Sequence, residues 1–307
     1  MSMLSRRRLL SIAACAALAG SSRNAPMPRL TWQGVALGAD VSITLEGPEE
    51  VTRLALARAR HEIEAYERRF SLFRSDSDLV LLNAKGILPD VDKRWRDLLG
   101  LCDQLYHATD GLFDPTIQPL WNAHAFGGDV NAARAAVGWR RVALPTGMRR
   151  GLRLDAGQAL SFNGIAQGAA TDAVRESLKA SGLTHVMIDI GETATLGGPW
   201  RIGLSDPTAG QFATLELTDM SVAVSSPTAL QLDAKTYHIL HPQRVLQPCW
   251  SSVAVVAHSA AIADGLSTAG CFMHVAELQS CARRLHQIRQ VLVTRGQGEG
   301  DTHSITF

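Results

Sequence analysis

The 307-residue chain carries 30 Lys and Arg against 29 Asp and Glu, a formal net charge of +1, and 46% of its residues are hydrophobic. Three of the cations, Arg6, Arg7 and Arg8, sit at the extreme N-terminus, so the rest is near neutral and has no basic stripe for nucleic acid. The composition is that of one soluble globular enzyme rather than a charged binding module, with about 285 residues after the first segment, enough for a sizeable core.

In chain order, Ser5-Arg6-Arg7-Arg8-Leu9-Leu10 precedes a short apolar run from Leu9 to Leu18, and Ala17-Leu18-Ala19 offers the small residues a signal peptidase requires. The pattern looks like a twin-arginine export signal. It predicts a leader over 1–19, a linker over 20–29, a folded domain over 30–307 and a periplasmic location. The apolar run is about half the roughly 20 residues that span a bilayer, which argues against an anchor helix. Ile12-Ala13-Ala14-Cys15 offers a second reading, a lipoprotein cleavage site with a lipid anchor at Cys15.

Trp32 to Glu46 alternates as a strand pair, and Glu49 to Arg69 has the apolar spacing of an amphipathic helix (Val51, Leu54, Ala57, Ile63, Tyr66). Asp92 to Thr109 reads as a second long helix stopped by Asp110-Gly111. Arg140 to Asp155 reads as a hairpin turning at Pro145-Thr146-Gly147, and Gly164 to Ser181 as a helix ended by Gly182. Short strands follow at Val186–Ile190, Trp200–Leu204, Ala213–Leu217, Ser221–Ser225, Thr236–Ile239 and Ser251–Ala257. Strand clusters interrupted by helices, without regular βαβ alternation, predict an α+β fold with mostly antiparallel sheets. Cys102, Cys249, Cys271 and Cys281 could pair in three ways in an oxidising compartment. Cys102 lies among leucines and Cys271 follows an apolar helix face, so buried free thiols are expected instead. No Cys/His cluster has zinc spacing.

Chemistry concentrates in a few segments. Asp264 and Thr268 are four apart in Ala263-Asp264-Gly265-Leu266-Ser267-Thr268-Ala269, so a carboxylate and a hydroxyl share one helix face, a hard-oxygen pair suited to Mg²⁺ or Ca²⁺. Asn163-Gly164-Ile165-Ala166-Gln167-Gly168 opens a helix, and its two glycines let backbone amides approach a phosphate-bearing ligand. His238 stands at the end of the strand-like Thr236-Tyr237-His238-Ile239 beside a Pro-containing turn.

Together with Phe70-Ser71-Leu72-Phe73, Asp76-Ser77-Asp78-Leu79, Leu82-Asn83 and Gly111-Leu112-Phe113-Asp114-Pro115-Thr116, these segments resemble, in order and spacing, the motifs of the ApbE family of FAD:protein FMN transferases. The resemblance runs from about Gly34 to the C-terminus. It implies an ApbE-like fold, FAD as substrate, Mg²⁺ as cofactor, and an acceptor protein whose threonine receives FMN with release of AMP. It assigns the metal to Asp264, Thr268 and the backbone carbonyl of Ala166. Catalytic roles fall to His238 and Asp264, and flavin-nucleotide contacts to Asn83, Asp114, Asn163, Gly164, Gln167, Glu192 and His238. Asp78, Asp172 and Asp189 are weaker candidates, and Asp172 reads as finishing the exposed face of its helix.

Three departures from the commonest family pattern stand out. Ser161-Phe162-Asn163-Gly164-Ile165-Ala166-Gln167-Gly168 replaces Asp-Leu-Gly-x-Ile-Ala-Lys-Gly, His241 stands where Asp is usual before Pro242, and Gly191-Glu192-Thr193 replaces Gly-Gly-Asn. The Asn-Gly-Ile-Ala-Gln-Gly version is similar to that of a twin-arginine-exported branch that includes NosX proteins, which implies a membrane-anchored electron-transfer acceptor connected with nitrous oxide reduction. Two other functions fit the same residues: an FAD pyrophosphatase giving FMN and AMP, and a non-catalytic flavin-binding assembly factor.

Overall fold

The computed structural model describes residues 27–147, 150–296 and 302–307. The expected leader over 1–19, with Cys15, and most of the linker over 20–29 lie outside the described residues. A hairpin comes first. Strands β1 (Arg29–Ala36) and β2 (Ala39–Glu46) pair through a two-residue turn, Leu37-Gly38, in which both residues have positive φ, as a tight hairpin requires. Helix α1 (Glu49–Phe70) follows, with Glu49 and Glu50 in its first turn and Arg68 and Arg69 in its last, the polarity the helix dipole favours. Ser77 caps α2 (Asp78–Lys85) by accepting the Val80 amide, and β3 (Ile87–Leu88) leads to α3 (Lys93–Ala108), capped by Asp92. Asp110 and Gly111, at φ 52° and 81°, end that helical run in the left-handed region.

The next stretch departs from expectation. Two short helices, α4 (Gln118–Phe126) and α5 (Val130–Ala136), occupy a region the sequence reading leaves unassigned. The hairpin expected over Arg140–Asp155 shrinks to one antiparallel bridge, Ala143 to Arg153, because β4 (Leu152–Arg153) takes β3 as its strand partner.

The chain continues through α6 (Ala166–Ala180), β5 (Val186–Asp189), β6 (Thr193–Leu196), β7 (Trp200–Asp206), β8 (Gly210–Leu217) and β9 (Ser221–Ser225). It ends with β10 (Gln231–Asp233), β11 (Thr236–Tyr237), β12 (Ser252–Ala257), α7 (Ala260–Gly270), α8 (Val275–Leu285), β13 (Ile288–Thr294) and β14 (Thr302–Thr306). Eight strands form one sheet in the order β1-β2-β5-β6-β9-β12-β13-β14, and every neighbouring pair is antiparallel. The fold is therefore α+β, as expected.

Both faces of the sheet are covered. Alternate residues of β12 divide between them: Val253, Val255 and Ala257 join the core under the helices, while Ala254 and Val256 pack against the β7–β8 hairpin with Trp200, Ile202 and Leu204. Among the described residues no helix is long and apolar enough to cross a membrane. All four described cysteines are free thiols; Cys102, Cys271 and Cys281 are buried, and Cys249 is half-buried.

Candidate active site

An aromatic trio anchors the approach to the site. Phe70 at the end of α1, Trp95 of α3 and Phe162 meet edge-on, with centroid separations of 4.8, 5.7 and 5.7 Å. Phe162 then directs the chain into Asn163–Gln167 and accepts the Ala166 amide on its carbonyl at 2.7 Å. No side chain of its own cap closes the start of α6. Instead the Gly168 amide donates to Asp264 Oδ2 on α7 at 3.3 Å, a carboxylate at a helix N-terminus, where the dipole favours negative charge.

Close approach, not flexibility, explains the two loop glycines. A Cβ on Gly168 would lie 2.5 Å from the Ala260 carbonyl oxygen, and one on Gly164 would lie 2.8 Å from Thr268 Oγ1. Gly164 and Thr268 are thus in direct contact, and Thr268 Oγ1 also lies 3.3 Å from the hydroxyl of Ser225 at the end of β9.

Burial raises the carboxyls of Asp264, Glu192 and Asp189. Asp264 is 3% exposed, and burial pushes its carboxyl up to about 8 against the lowering effect of the Gly168 amide. Glu192, in the turn between β5 and β6, is raised well above the usual carboxylate range by burial and then by Asp264 and Asp189. Its Oε2 has no hydrogen-bond partner. Asp189 is pushed up to about 6 by burial, with the Gly191 amide opposing and Asp40 adding. A bound dication reverses this logic by favouring the ionised carboxylate. Among the described residues no group of three or more His, Cys, Asp or Glu side chains is arranged to hold a metal ion. The oxygen ligands that meet the start of α6 are the Asp264 carboxylate and, against Gly164, the Thr268 hydroxyl. That set fits Mg²⁺, which keeps several waters and shares substrate phosphates instead of filling an all-protein cage.

Beside this centre, Phe70, Ser71, Leu72 and Phe73 line a recess with Asn163 and Gln167, so two motifs far apart in the chain form one wall. Gln167 reaches across to the Leu37 carbonyl at 3.5 Å and fills the space over Gly191. His238 follows β11 instead of lying inside a strand, since β11 ends at Tyr237. Its Nδ1 is 3.2 Å from the carbonyl oxygens of both Pro227 and Leu230. A carbonyl can only accept, so neutral His238 carries its proton on Nδ1 and its lone pair on Nε2. Pro227 is two residues beyond Ser225, which ties His238 to the Thr268 side of the site.

Other sequence candidates are committed elsewhere. The Asn83 carboxamide exchanges two hydrogen bonds with the Leu160 backbone, at 2.9 and 2.7 Å, and so holds the segment entering the loop. Asp114 accepts from the amide and hydroxyl of Thr116 and from the Trp139 amide, which makes it a half-buried turn fastener whose carboxyl is raised by burial. Neither side chain faces the Asp264 centre through any of these bonds. Asp78 accepts from the Trp95 indole at 3.1 Å. Asp172 does not finish an exposed face; it points at the start of α7. Two residues escaped the sequence reading: Ser225, on Thr268, and Thr228, whose buried hydroxyl has no hydrogen-bond partner. The signal was the polar run Ser225-Ser226-Pro227-Thr228 after a buried strand.

His241 explains one departure from the family pattern. It is buried, and its Nδ1 accepts the amides of Gln243 and Arg244, both at 3.1 Å. A carboxylate in that place would accept the same turn amides.

Fold and site define an α+β protein with a hard-oxygen centre at a helix N-terminus, suited to an anionic, phosphate-bearing ligand. Residues 37–292 match the ApbE family, and the chain belongs to it. The FAD:protein FMN transferase of Klebsiella pneumoniae (strain 342) is 25% identical over 327 aligned residues, which cover 95% of this chain and 93% of the relative. The Pseudomonas stutzeri flavinyl transferase ApbE, in its apo form, superposes with a TM-score of 0.74 at 27% identity over 92% of this chain and 95% of its own. The apbe protein of Thermotoga maritima shares the fold, with a TM-score of 0.78 at 21% identity over 91% of this chain and 97% of its own.

Proposed function

We propose that this chain is an FAD:protein FMN transferase that moves FMN from FAD to a threonine side chain of an acceptor protein. The observation that carries the reading is the meeting of Asp264, Thr268 and Gly164 at the N-terminus of α6, in a member of a family whose curated relatives bear that name. In the reaction the acceptor hydroxyl oxygen bonds to the FMN phosphorus, the phosphoanhydride breaks, and AMP leaves with the bridging oxygen. Mg²⁺, held by Asp264, Thr268 and the Ala166 carbonyl, supplies charge stabilisation for the phosphates when bound. The start of α6, where the helix dipole favours negative charge, faces the phosphates, and Phe73 and Gln167 form one wall against the flavin nucleotide. His238, held by the Pro227 and Leu230 carbonyls with its lone pair on Nε2, takes the threonine proton.

The finer parts of the reading rest on the N-terminal sequence and the loop variant. Arg6-Arg7 and the apolar run after them favour export to the periplasm by the twin-arginine route, and the Asn163–Gly168 variant favours a membrane-anchored electron-transfer acceptor, as in nitrous oxide reduction. The test is incubation with FAD, Mg²⁺ and such an acceptor. The expected result is AMP release together with an acceptor band that stays fluorescent after denaturation. AMP release without a labelled band would replace the transferase with a pyrophosphatase, and FAD binding without AMP would leave only a flavin-binding assembly factor.

A further inference from the structure

Asp172 lies four residues beyond Gly168 on α6, and its carboxylate accepts three hydrogen bonds from the start of the neighbouring helix. Oδ2 accepts from the Ser259 hydroxyl at 2.6 Å and the Ala261 amide at 3.1 Å, and Oδ1 accepts from the Ala260 amide at 2.9 Å and from Arg175 at 3.0 Å. Ser259 is the N-cap of α7, where its own oxygen accepts the Ile262 amide at 3.2 Å. Further along α7, Asp264 returns the favour by accepting the Gly168 amide at the start of α6. Each helix therefore caps the other. A helix start leaves several amides to be satisfied by a nearby side chain or by water. Satisfying them from a second helix fixes how the two are rotated and how far each slides along the other. Between the two caps there is no slack, because a Cβ on Gly168 would sit 2.7 Å from the Ala261 Cα.

Arg175 extends the clasp to the sheet. Besides Asp172 it donates to the Ser221 hydroxyl at 2.8 Å and to the His258 carbonyl at 2.6 Å. Ser221 begins β9, and Ser225 at the far end of that strand touches Thr268. We propose that Asp172, with Arg175 beside it, is a positioning residue for the transfer site: it sets the placement of α7, and so holds the Asp264 and Thr268 oxygens in register with the first turn of α6. The proposal rests on the transferase reading only for its kinetic arm. Displacement of reacting groups by about 1 Å can cost on the order of 100-fold in rate, so a carboxylate that touches neither substrate nor metal can still control turnover.

The decisive variant in the full chain is Asp172→Asn, whose amide is nearly the same shape but brings an NH₂ up to donors that need an acceptor. Asp206→Asn, which removes a carboxylate that joins the end of β7 to the start of β12, serves as the control for general destabilisation. Ser259→Ala removes one bond of the clasp and decides the matter if Asp172→Asn does not fold. Mn²⁺ binding followed by electron paramagnetic resonance reads the site without turnover, and AMP release reads kcat and KM for FAD. The expected result for Asp172→Asn is a cooperative melt, Mn²⁺ affinity at least ~5-fold weaker, kcat down ~10- to 100-fold and KM for FAD within ~3-fold. Ser259→Ala should move the same quantities in the same direction by less, and Asp206→Asn should leave Mn²⁺ affinity unchanged. Wild-type Mn²⁺ affinity in folded Asp172→Asn and Ser259→Ala would overturn the proposal. If the wild type released no AMP, the transferase reading would fail, and the Mn²⁺ arm would still judge the clasp.

Discussion

Asp206 and Asp264 are the same residue type, each 3% exposed, yet they behave in opposite ways. Asp206 ends β7 beneath the second apolar cluster and accepts from Thr208 Oγ1 at 2.6 Å, Ser252 Oγ at 2.6 Å, the Thr208 and Ala209 amides at 2.8 and 2.9 Å, and the Ser251 hydroxyl. Burial works to raise its carboxyl, but those bonds outweigh it and bring it down to about 2. Asp264 accepts the Gly168 amide, and burial takes it up to about 8. Donor supply separates them together with depth, since Asp264 has the more densely packed surroundings. The well-supplied carboxylate stitches the β7–β8 hairpin to the start of β12. The undersupplied one meets the first turn of α6, and strongly perturbed carboxylates of that kind concentrate at functional sites.

Substituting each carboxylate by its amide should exchange the two outcomes. Asp264→Asn is expected to lower AMP release by roughly 100- to 1,000-fold, the scale for removing a main electrostatic contact, while the melting temperature of the metal-free protein stays level or rises. Near wild-type turnover would remove Asp264 from the metal set and erase the contrast. Asp206→Asn should do the reverse, leaving turnover per folded molecule intact while costing about 2 kcal/mol of stability, the linkage value of a shift from 3.8 to about 2. Because the folded-state pKa is depressed, that contribution is complete above the unfolded value near 4 and is lost as pH falls towards 2. Urea unfolding at pH 5 and pH 2.5 should therefore show wild type and variant converging at the lower pH; a constant gap would mean the bonds to Asp206 do not depend on its charge.

The smallest effect concerns His241, which lies between the two extremes. Burial first, then Arg244 and Arg134, lowers its pKa, and its Nδ1 must stay unprotonated to accept two turn amides. With a folded-state pKa below the unfolded 6.5, the unfolded chain takes up the proton first, so stability falls as pH drops below about 6.5. His241→Asp should keep the turn, change stability at pH 7.5 by no more than about 1 kcal/mol, and flatten the decline in melting temperature between pH 7.5 and 5.5. An unchanged decline would show that the imidazole is not its source.

Helices α1, α3 and α6 and the β1–β2 hairpin were legible in the sequence, because each announces itself by local periodicity, capping or turn chemistry. Strand β6 was not. Its four residues are all buried, so no alternation marks it, and its partners β5 and β9 come from either side of a separate hairpin. The Arg140–Asp155 hairpin was misread for the converse reason: a plausible local turn lost to a distant partner, β3. Helix α8 shows Leu278, Ala282 and Leu285 on its buried face, a pattern that was readable and passed over. At the site, the sequence pointed to Asp264, Thr268 and Gly164, which the fold brings together at the start of α6, and to His238, whose Nδ1 is held by the Pro227 and Leu230 carbonyls. It also offered Asn83 and Asp114, whose hydrogen bonds are spent on Leu160, Thr116 and Trp139.

The sequence by itself determined the residue types and spacings that place a carboxylate and a hydroxyl on one helix face, a glycine-bordered loop before a helix, and the motif order of the ApbE family. Spacing along one element says which side chains share a face, but it cannot say what lies across from that face. The tertiary structure decided that Gly168 meets Ala260, that Asp172 serves the start of α7, and that His241 caps a turn. It also decided that one buried aspartate has five donors and the other has the Gly168 amide. Those outcomes depend on contacts between segments far apart in the chain, where packing and donor supply, rather than local preference, set the energy of each group.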